Sequence, residues 1–414
     1  MPGKPGSFTW QPLIAGEQAR RIIDSVCGLA EQLLSSGRVG LSQDSSFGGG
    51  LAGLSFLYAE LGLITAEARW GQNACSLLDR ALEAASASGE TSLGLFHGLA
   101  GVGWTLHELA APLGYDLPLD VTAELDEAIS TALRRQPWTW EYDLISGLAG
   151  MGLYLLDHPN RSFARDETLV LMDRLAELSV AREGGLTWWT APGLLEGQQR
   201  LWYPDGRFDL GVAHGVAGLI GLLARICRSG LGAPQARRLL DSAVQWMLAN
   251  RRFSDEGSTF SRFAKPVPQL SCRSAWCYGD PGIVAVLIGA AEVQAKPSWK
   301  SEAIAIGFKD SIRPVGETEV QDATLCHGTA GLGHIYNCLF QVTGAEVFAT
   351  TARSWLTATL QDLDGTSNRG AIDLACEEWG LLQGLAGTCL ALLAAVGHTQ
   401  PRWARPMMLD LVVV

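Results

Sequence analysis

One unit recurs seven times along this chain: a Gly-x-x-Gly pair that opens an apolar run. The pairs are Gly50–Gly53, Gly98–Gly101, Gly147–Gly150, Gly215–Gly218, Gly279–Gly282, Gly328–Gly331 and Gly384–Gly387. Their first glycines are 48, 49, 68, 64, 49 and 56 residues apart. A single pair would mean little, but seven in register mark a repeat protein, in which each unit buries its apolar face against its neighbours. Between the pairs run amphipathic stretches. The first carries Ile22, Ile23, Val26, Ala30, Leu33 and Leu34 at helical spacing. Similar stretches lie near 66–87, 120–135, 166–182, 234–251, 299–310 and 345–361, and they hold more charge than the runs after the glycines. A helix apolar on all sides is buried. The pattern therefore predicts an all-α fold: a double-layer α/α barrel, or toroid, of seven helical hairpins with the apolar helices inside. The glycines are expected to sit where Cβ atoms would collide in tight turns.

Composition agrees. Of 414 residues, 47% are hydrophobic and 18% charged, enough to bury a large core and too apolar for a disordered chain. The whole of 1–414 is read as one barrel domain. The two long spacings mark additions to it. Gly185 to Thr190 and Arg200 to Tyr203 are aromatic and β-branched stretches near the turn-like Pro204-Asp-Gly206, so a small β-type insertion is expected over 183–212. Residues 252–271 read as a loop near the ring mouth. No apolar run is long enough to span a bilayer, and Met1 to Trp10 is not a secretory signal, so a cytoplasmic protein is expected. A formal charge of −12 without a basic run argues against a nucleic-acid partner. The nine cysteines are an odd count without a secretion signal, which favours free thiols or metal ligation over disulfides. Cys27, Cys75, Cys227, Cys338 and Cys389 lie in apolar helical stretches and read as buried small hydrophobes.

The repeat supplies an internal control for chemistry. The two positions before each first glycine read Gly48-Gly49, Phe96-His97, Ile145-Ser146, Ala213-His214, Cys277-Tyr278, Cys326-His327 and Leu382-Gln383. Glycine, phenylalanine and leucine all serve there, so the fold does not require cysteine or histidine. The seven turns should share one rim, which makes Cys277 and Cys326 neighbours with His327 beside them. Two sulfurs and an imidazole suit Zn²⁺ with one position left open; the alternative is two buried thiols and a surface histidine. Cys272 is a rival ligand. His214 is a candidate proton donor or acceptor, or else a histidine capping a turn. Asp143 is a candidate partner or an N-cap. Arg273 can orient a carbonyl or lie solvated, and His97 shares the register of His214 two repeats further from the metal. Asp143 is the one evident acid on the rim, whereas a glycosidase or a terpene cyclase would need paired carboxylates or an Asp-rich site.

Trp276-Cys-Tyr-Gly279 and Cys326-His-Gly328, set among Gly-x-x-Gly turns, resemble the lanthionine synthetase C-like family of lanthipeptide cyclases, over roughly Phe47 to Ala395. The resemblance implies zinc held by Cys277, Cys326 and His327. It matches Asp143 and His214 to the family's acid and histidine, Arg273 to its arginine and Tyr278 to its tyrosine. It also makes the insertion a candidate for the family's small extruding domain. The implied reaction adds cysteine thiolates of a dehydrated precursor peptide (leader plus core) to dehydroalanine or dehydrobutyrine, closing thioether rings. The implied partners are a dehydratase, a transporter and a peripheral membrane complex. Glutathione addition to dehydrated proteins and a non-catalytic zinc scaffold are the rival readings.

Overall fold

A computed structural model describes residues 9–89, 92–254, 256–366 and 379–411, so Cys376 lies outside the described residues. In chain order the first half contains α1 (Gly16–Ser35), α2 (Arg38–Leu41), α3 (Leu51–Thr65), α4 (Ala68–Ser88), α5 (Leu99–Leu113), α6 (Leu119–Leu133), α7 (Leu148–Asp157) and α8 (Arg161–Leu178). A hairpin of β1 (Ser179–Arg182) and β2 (Gly185–Trp188) follows, then α9 (Gly197–Trp202), α10 (Val216–Ser229) and α11 (Ala233–Ala249). The chain continues through α12 (Asp280–Val293), α13 (Pro297–Ser311), α14 (Thr329–Thr343), α15 (Glu346–Leu363) and α16 (Leu385–Val396).

The two layers follow from the pattern. Every residue of α16 is buried, as is α12 from Asp280 to Ala291. In α1 only Ile22, Val26, Ala30 and Leu33 are buried, one stripe of an amphipathic helix; Leu34, expected on that face, is 36% exposed. The inner helices α3, α5, α7, α10, α12, α14 and α16 pack in that order, and α16 returns to α3 to close the ring. Outer helices α4, α6, α8, α11, α13 and α15 each pack on the inner helix before them, and α1 lies against α16 and α3. Among the described residues no helix is long and apolar enough to cross a membrane.

Each first glycine is the N-cap of its inner helix, and each second glycine is that helix's third residue. A Cβ on the second glycine would meet the backbone oxygen six residues earlier. The distances are 2.0 Å to Phe47, 1.8 Å to Leu95, 2.7 Å to Leu144, 2.3 Å to Val212, 2.2 Å to Trp276, 2.1 Å to Leu325 and 1.8 Å to Leu381. The expected collision is thus chiefly with the unit's own turn. Among the seven inner-helix N-caps, Gly279 alone also needs glycine's conformational freedom, with φ +142°.

The turns are laced together. Gly48 N donates to Phe96 O (2.7 Å), Phe96 N to Ile145 O (3.0 Å) and Leu144 N to Ala213 O (3.1 Å). Ala213 N donates to Cys277 O (3.3 Å), Cys277 N to Cys326 O (3.3 Å), Cys326 N to Leu382 O (2.9 Å) and Leu382 N to Gly48 O (2.8 Å). A circle of backbone hydrogen bonds therefore runs through the position two before each first glycine, passing in the third turn from Ile145 to the adjacent Leu144, and that register lies on one rim. The opposite end is filled by residues 401–411. There Trp403, Met407 and Met408 are buried, Arg405 pairs with Glu108 (2.7 Å), Arg225 pairs with Asp410 (2.6 Å), and the Trp276 indole donates to Met407 O (2.8 Å).

The chain between α8 and α10 differs in part from expectation. Ser179–Arg182, read as the end of a helix, pairs antiparallel with β2 because Gly184 and Gly185, both with positive φ, turn the chain back. Arg200 to Trp202, read as strand, is the last part of α9. Thr190 pairs with Arg207 and Asp209 with Phe263 in isolated bridges.

Candidate metal centre and its cavity

The rim encloses a cavity of about 520 Å³. On its floor Cys277 precedes α12 and Cys326-His327 precedes α14, and the Cys277 N to Cys326 O bond ties the two turns together. The two sulfurs and a ring nitrogen of His327 all lie within 4.8 Å of one another. Both cysteines are buried, at 7% and 6% exposure. His327 Nε2 lies 3.2 Å from Asp322 Oδ2, which leaves the other ring nitrogen for the sulfur side.

A hydrogen bond from the Cys326 thiol holds Cys277 well below the usual thiol range, and the same bond with burial holds Cys326 well above it. Hydrogen bonds to Asp322 and to the Cys277 sulfur raise His327 to about 9. Burial works to raise Asp322, but hydrogen bonds from His327 and Thr324 outweigh it and bring it down to about 2. Two closely set sulfurs beside an imidazole oriented by a carboxylate fit a soft tetrahedral cation such as Zn²⁺. Cys272 is outside this group. Its thiol is buried and raised to about 11, and its amide donates to Ser258 Oγ (2.7 Å).

His214 faces the same cavity. Its Nδ1 lies 2.5 Å from Asp143 Oδ2, and Asp143 Oδ1 accepts from Ser146 N at 2.8 Å, so the buried carboxylate is itself fixed. The His214 side chain is 46% exposed and lines the cavity. Burial works to lower its pKa, but the bond to Asp143 and the charges of Asp143, Asp209 and Cys277 raise it overall. His97 lines the cavity too, lowered by burial. Arg273 lines it half-buried, and no hydrogen bond from its guanidinium forms among the described residues. Tyr278 stacks near His214, with ring centroids 6.3 Å apart at 29°. Its hydroxyl donates to Asp209 Oδ2 at 3.0 Å.

Asp209 is the residue that the sequence reading missed. It is 1% exposed, and it accepts from Gly211 N (3.3 Å) and Arg207 Nε (3.3 Å) as well as from Tyr278. A signal for it existed six positions before the first glycines. There Asp44 and Asp322, like Asp209, accept the amide two residues on, so the repeat itself uses one carboxylate oxygen and leaves the other free for a different partner, His327 at Asp322 and Tyr278 at Asp209. Glu141 and Glu196 also line the cavity, so Asp143 is not the one acid there. His107 and His158 pack against each other and Tyr154 on α5 and α7, and His334 is buried beside Trp403; none of these three reaches the cavity.

A family model described as lanthionine synthetase C-like protein matches residues 42–408. The nisin biosynthesis protein NisC of Lactococcus lactis subsp. lactis is 22% identical over 266 residues, 61% of this chain and 60% of that protein. The alignment thus spans about 60% of the length of the curated relative. The solved structure of a nisin cyclase superposes with a TM-score of 0.79 at 18% identity, covering 95% of this chain and 98% of that one. At that identity the superposition establishes the α/α toroid.

Proposed function

The chain belongs to the lanthionine synthetase C-like family, and on that premise we propose that it is a zinc-dependent lanthipeptide cyclase. Its reaction adds cysteine thiolates of a dehydrated precursor peptide to dehydroalanine or dehydrobutyrine, forming lanthionine and methyllanthionine rings. One observation carries this reading: the Cys277, Cys326 and His327 donors and the His214–Asp143 pair open into one cavity.

Cys277, Cys326 and His327 would hold the Zn²⁺, which when bound supplies a Lewis acid that makes a substrate thiol ionise near neutral pH. The two cysteines enter as anions and so offset the cation's charge, which keeps an incoming sulfur nucleophilic. Asp322 holds the His327 ring through Nε2. Asp143 holds His214 through Nδ1 and directs Nε2 at the lumen. In the reaction the sulfur forms a bond to the β-carbon, the C=C π pair moves toward the carbonyl, and Cα takes a proton. The net change is S–H and C=C to S–C and C–H. His214 Nε2 delivers that proton to Cα, and Asp143 stabilises the imidazolium that carries it. The unpaired Arg273 guanidinium receives the enolate oxygen as charge develops. Tyr278, its hydroxyl committed to Asp209, acts as the wall that fixes the His214 ring.

All eight described cysteines are free, which suits a reducing cytoplasm. The test is metal dependence. A chelated protein should leave a dehydrated peptide open, and Zn²⁺, but not Mg²⁺, should restore ring closure. Undiminished closure by metal-free protein would refute the reading.

A further inference from the structure

A second cavity, of about 760 Å³, lies behind the wall of the first. That wall is the ladder in which Asp209 pairs with Phe263, Leu210 N donates to Arg262 O (3.1 Å) and Ala264 N to Phe208 O (2.9 Å). Because side chains alternate along an extended chain, Arg207 and Asp209 face the metal cavity and Phe208 faces the groove behind. The groove lies against the end of α11, and the rest of its described lining comes from the two places where the glycine spacing is long, the chain from the β1–β2 hairpin to Phe208 and the loop after α11.

In a chain of net charge −12 this groove is cationic. Its described lining carries Arg182, Arg251, Arg252 and Lys265 against one carboxylate, Glu183. Arg251 is neutralised by Glu302, and one arm of Arg252 is held by Ser258 O at 2.6 Å. Arg182 and Lys265 are exposed, and neither side chain makes an ion pair or a hydrogen bond among the described residues. Aromatic surface lies between the charges. The Arg182 guanidinium sits 4.9 Å over the Phe208 ring, Trp246 floors the groove, and Phe253 at its edge is 96% exposed. Unpaired cations beside one exposed ring, Phe253, and the half-buried Phe208 fit an extended chain bearing carboxylates and an aromatic or large apolar side chain. Four cations in one short groove do not form the track that a phosphate backbone needs.

We propose that this groove binds an acidic, extended segment of the substrate peptide, outside the part that reacts; that the partner is the substrate rests on the function proposed above. Holding such a segment one ladder away from the metal cavity would raise the effective concentration of the reacting cysteines there.

The test uses the full chain and a short fluorescein-labelled peptide alternating Asp with Phe and Ser, read by fluorescence anisotropy. An Asn-for-Asp peptide and a labelled single-stranded oligonucleotide are the comparison probes. The acidic peptide should bind at least roughly tenfold tighter than the Asn peptide, and less tightly at high salt. The Arg182→Glu/Lys265→Glu protein should lose roughly tenfold in affinity for it. The same double variant should close rings at the normal rate on a minimal dehydrated peptide lacking acidic residues. Equal binding of the two peptides, an unchanged double variant, or binding of the oligonucleotide in preference would overturn the proposal. Absent binding with ring closure intact would remove the groove alone, and binding without ring closure by the wild-type protein would remove the cyclase reading alone.

Discussion

Replacing Gly331 by alanine tests the claim that the repeat glycines are a steric condition of the site. The new Cβ would stand 2.1 Å from Leu325 O and 2.9 Å from Leu325 C. Real Cβ contacts do not close below about 3.0 Å, so the turn must retreat by about 1 Å. That turn carries Cys326, whose amide and carbonyl are links in the rim's hydrogen-bond circle. A forced shift of this kind costs about 1–3 kcal/mol. With an unfolding entropy of about 2.1 cal/mol/K per residue, 414 residues give about 0.9 kcal/mol/K, so Tm should fall by only about 1–3 °C. The larger effect is on the metal. A ligand set tolerates about 0.5 Å of misplacement, so Zn²⁺ affinity, measured by competition with a chelating dye, should fall more than roughly tenfold. Gly289→Ala is the control. It adds a Cβ inside α12 with nothing within 4 Å and should stabilise by about 0.4–1 kcal/mol. If the Gly331 variant matches the control in Tm and in metal affinity, the steric account of the repeat is wrong.

Cys277→Ala and Cys326→Ala should lose most bound zinc by elemental analysis while Cys272→Ala keeps it; the reverse pattern would reassign the ligands. His214→Asn and Asp143→Asn should retain zinc and fold but close rings roughly a hundredfold more slowly, and full rates in either would leave that residue no part in proton transfer. Glu60 supplies a pH dependence of stability. Burial raises it to about 7, against the pull of Arg402, so the folded chain keeps a proton that the unfolded chain releases above about 4.5. Stability should therefore fall as pH rises from about 4.5 through 7. In urea unfolding at pH 5 and pH 8, Glu60→Gln should flatten that decline; an unchanged slope would assign it to other groups.

The ring and its cluster of two cysteines and a histidine were legible because the repeat carries its own comparison. Seven turns must pack alike, so Cys277, Cys326 and His327 stand out as chemistry that packing does not demand, and their common register brings them together. His214 emerged from the same register, Asp143 from two positions before it in the preceding repeat, and the two meet at 2.5 Å. Asp209 was hidden because one of its oxygens does the structural work that Asp44 and Asp322 do elsewhere, while the other turns to Tyr278. The plug at 401–411 has no period to betray it. Arg405 finds Glu108 across 297 residues, a pairing that only the closed ring creates. The strand expected at Arg200–Tyr203 failed because Leu201 and Trp202, 79% and 66% exposed, have no sheet face to cover, and β propensity is largely the fit to such a face.

The central claim is ring formation at the rim cavity, and counting free thiols tests it most directly. A dehydrated peptide incubated with the zinc-loaded protein should keep its mass and lose its alkylatable cysteines, as mass spectrometry after thiol alkylation would show. Protein lacking Cys277 should leave every cysteine open to alkylation. Full alkylation after incubation with folded, zinc-loaded wild-type protein, across several dehydrated peptides, would contradict the account.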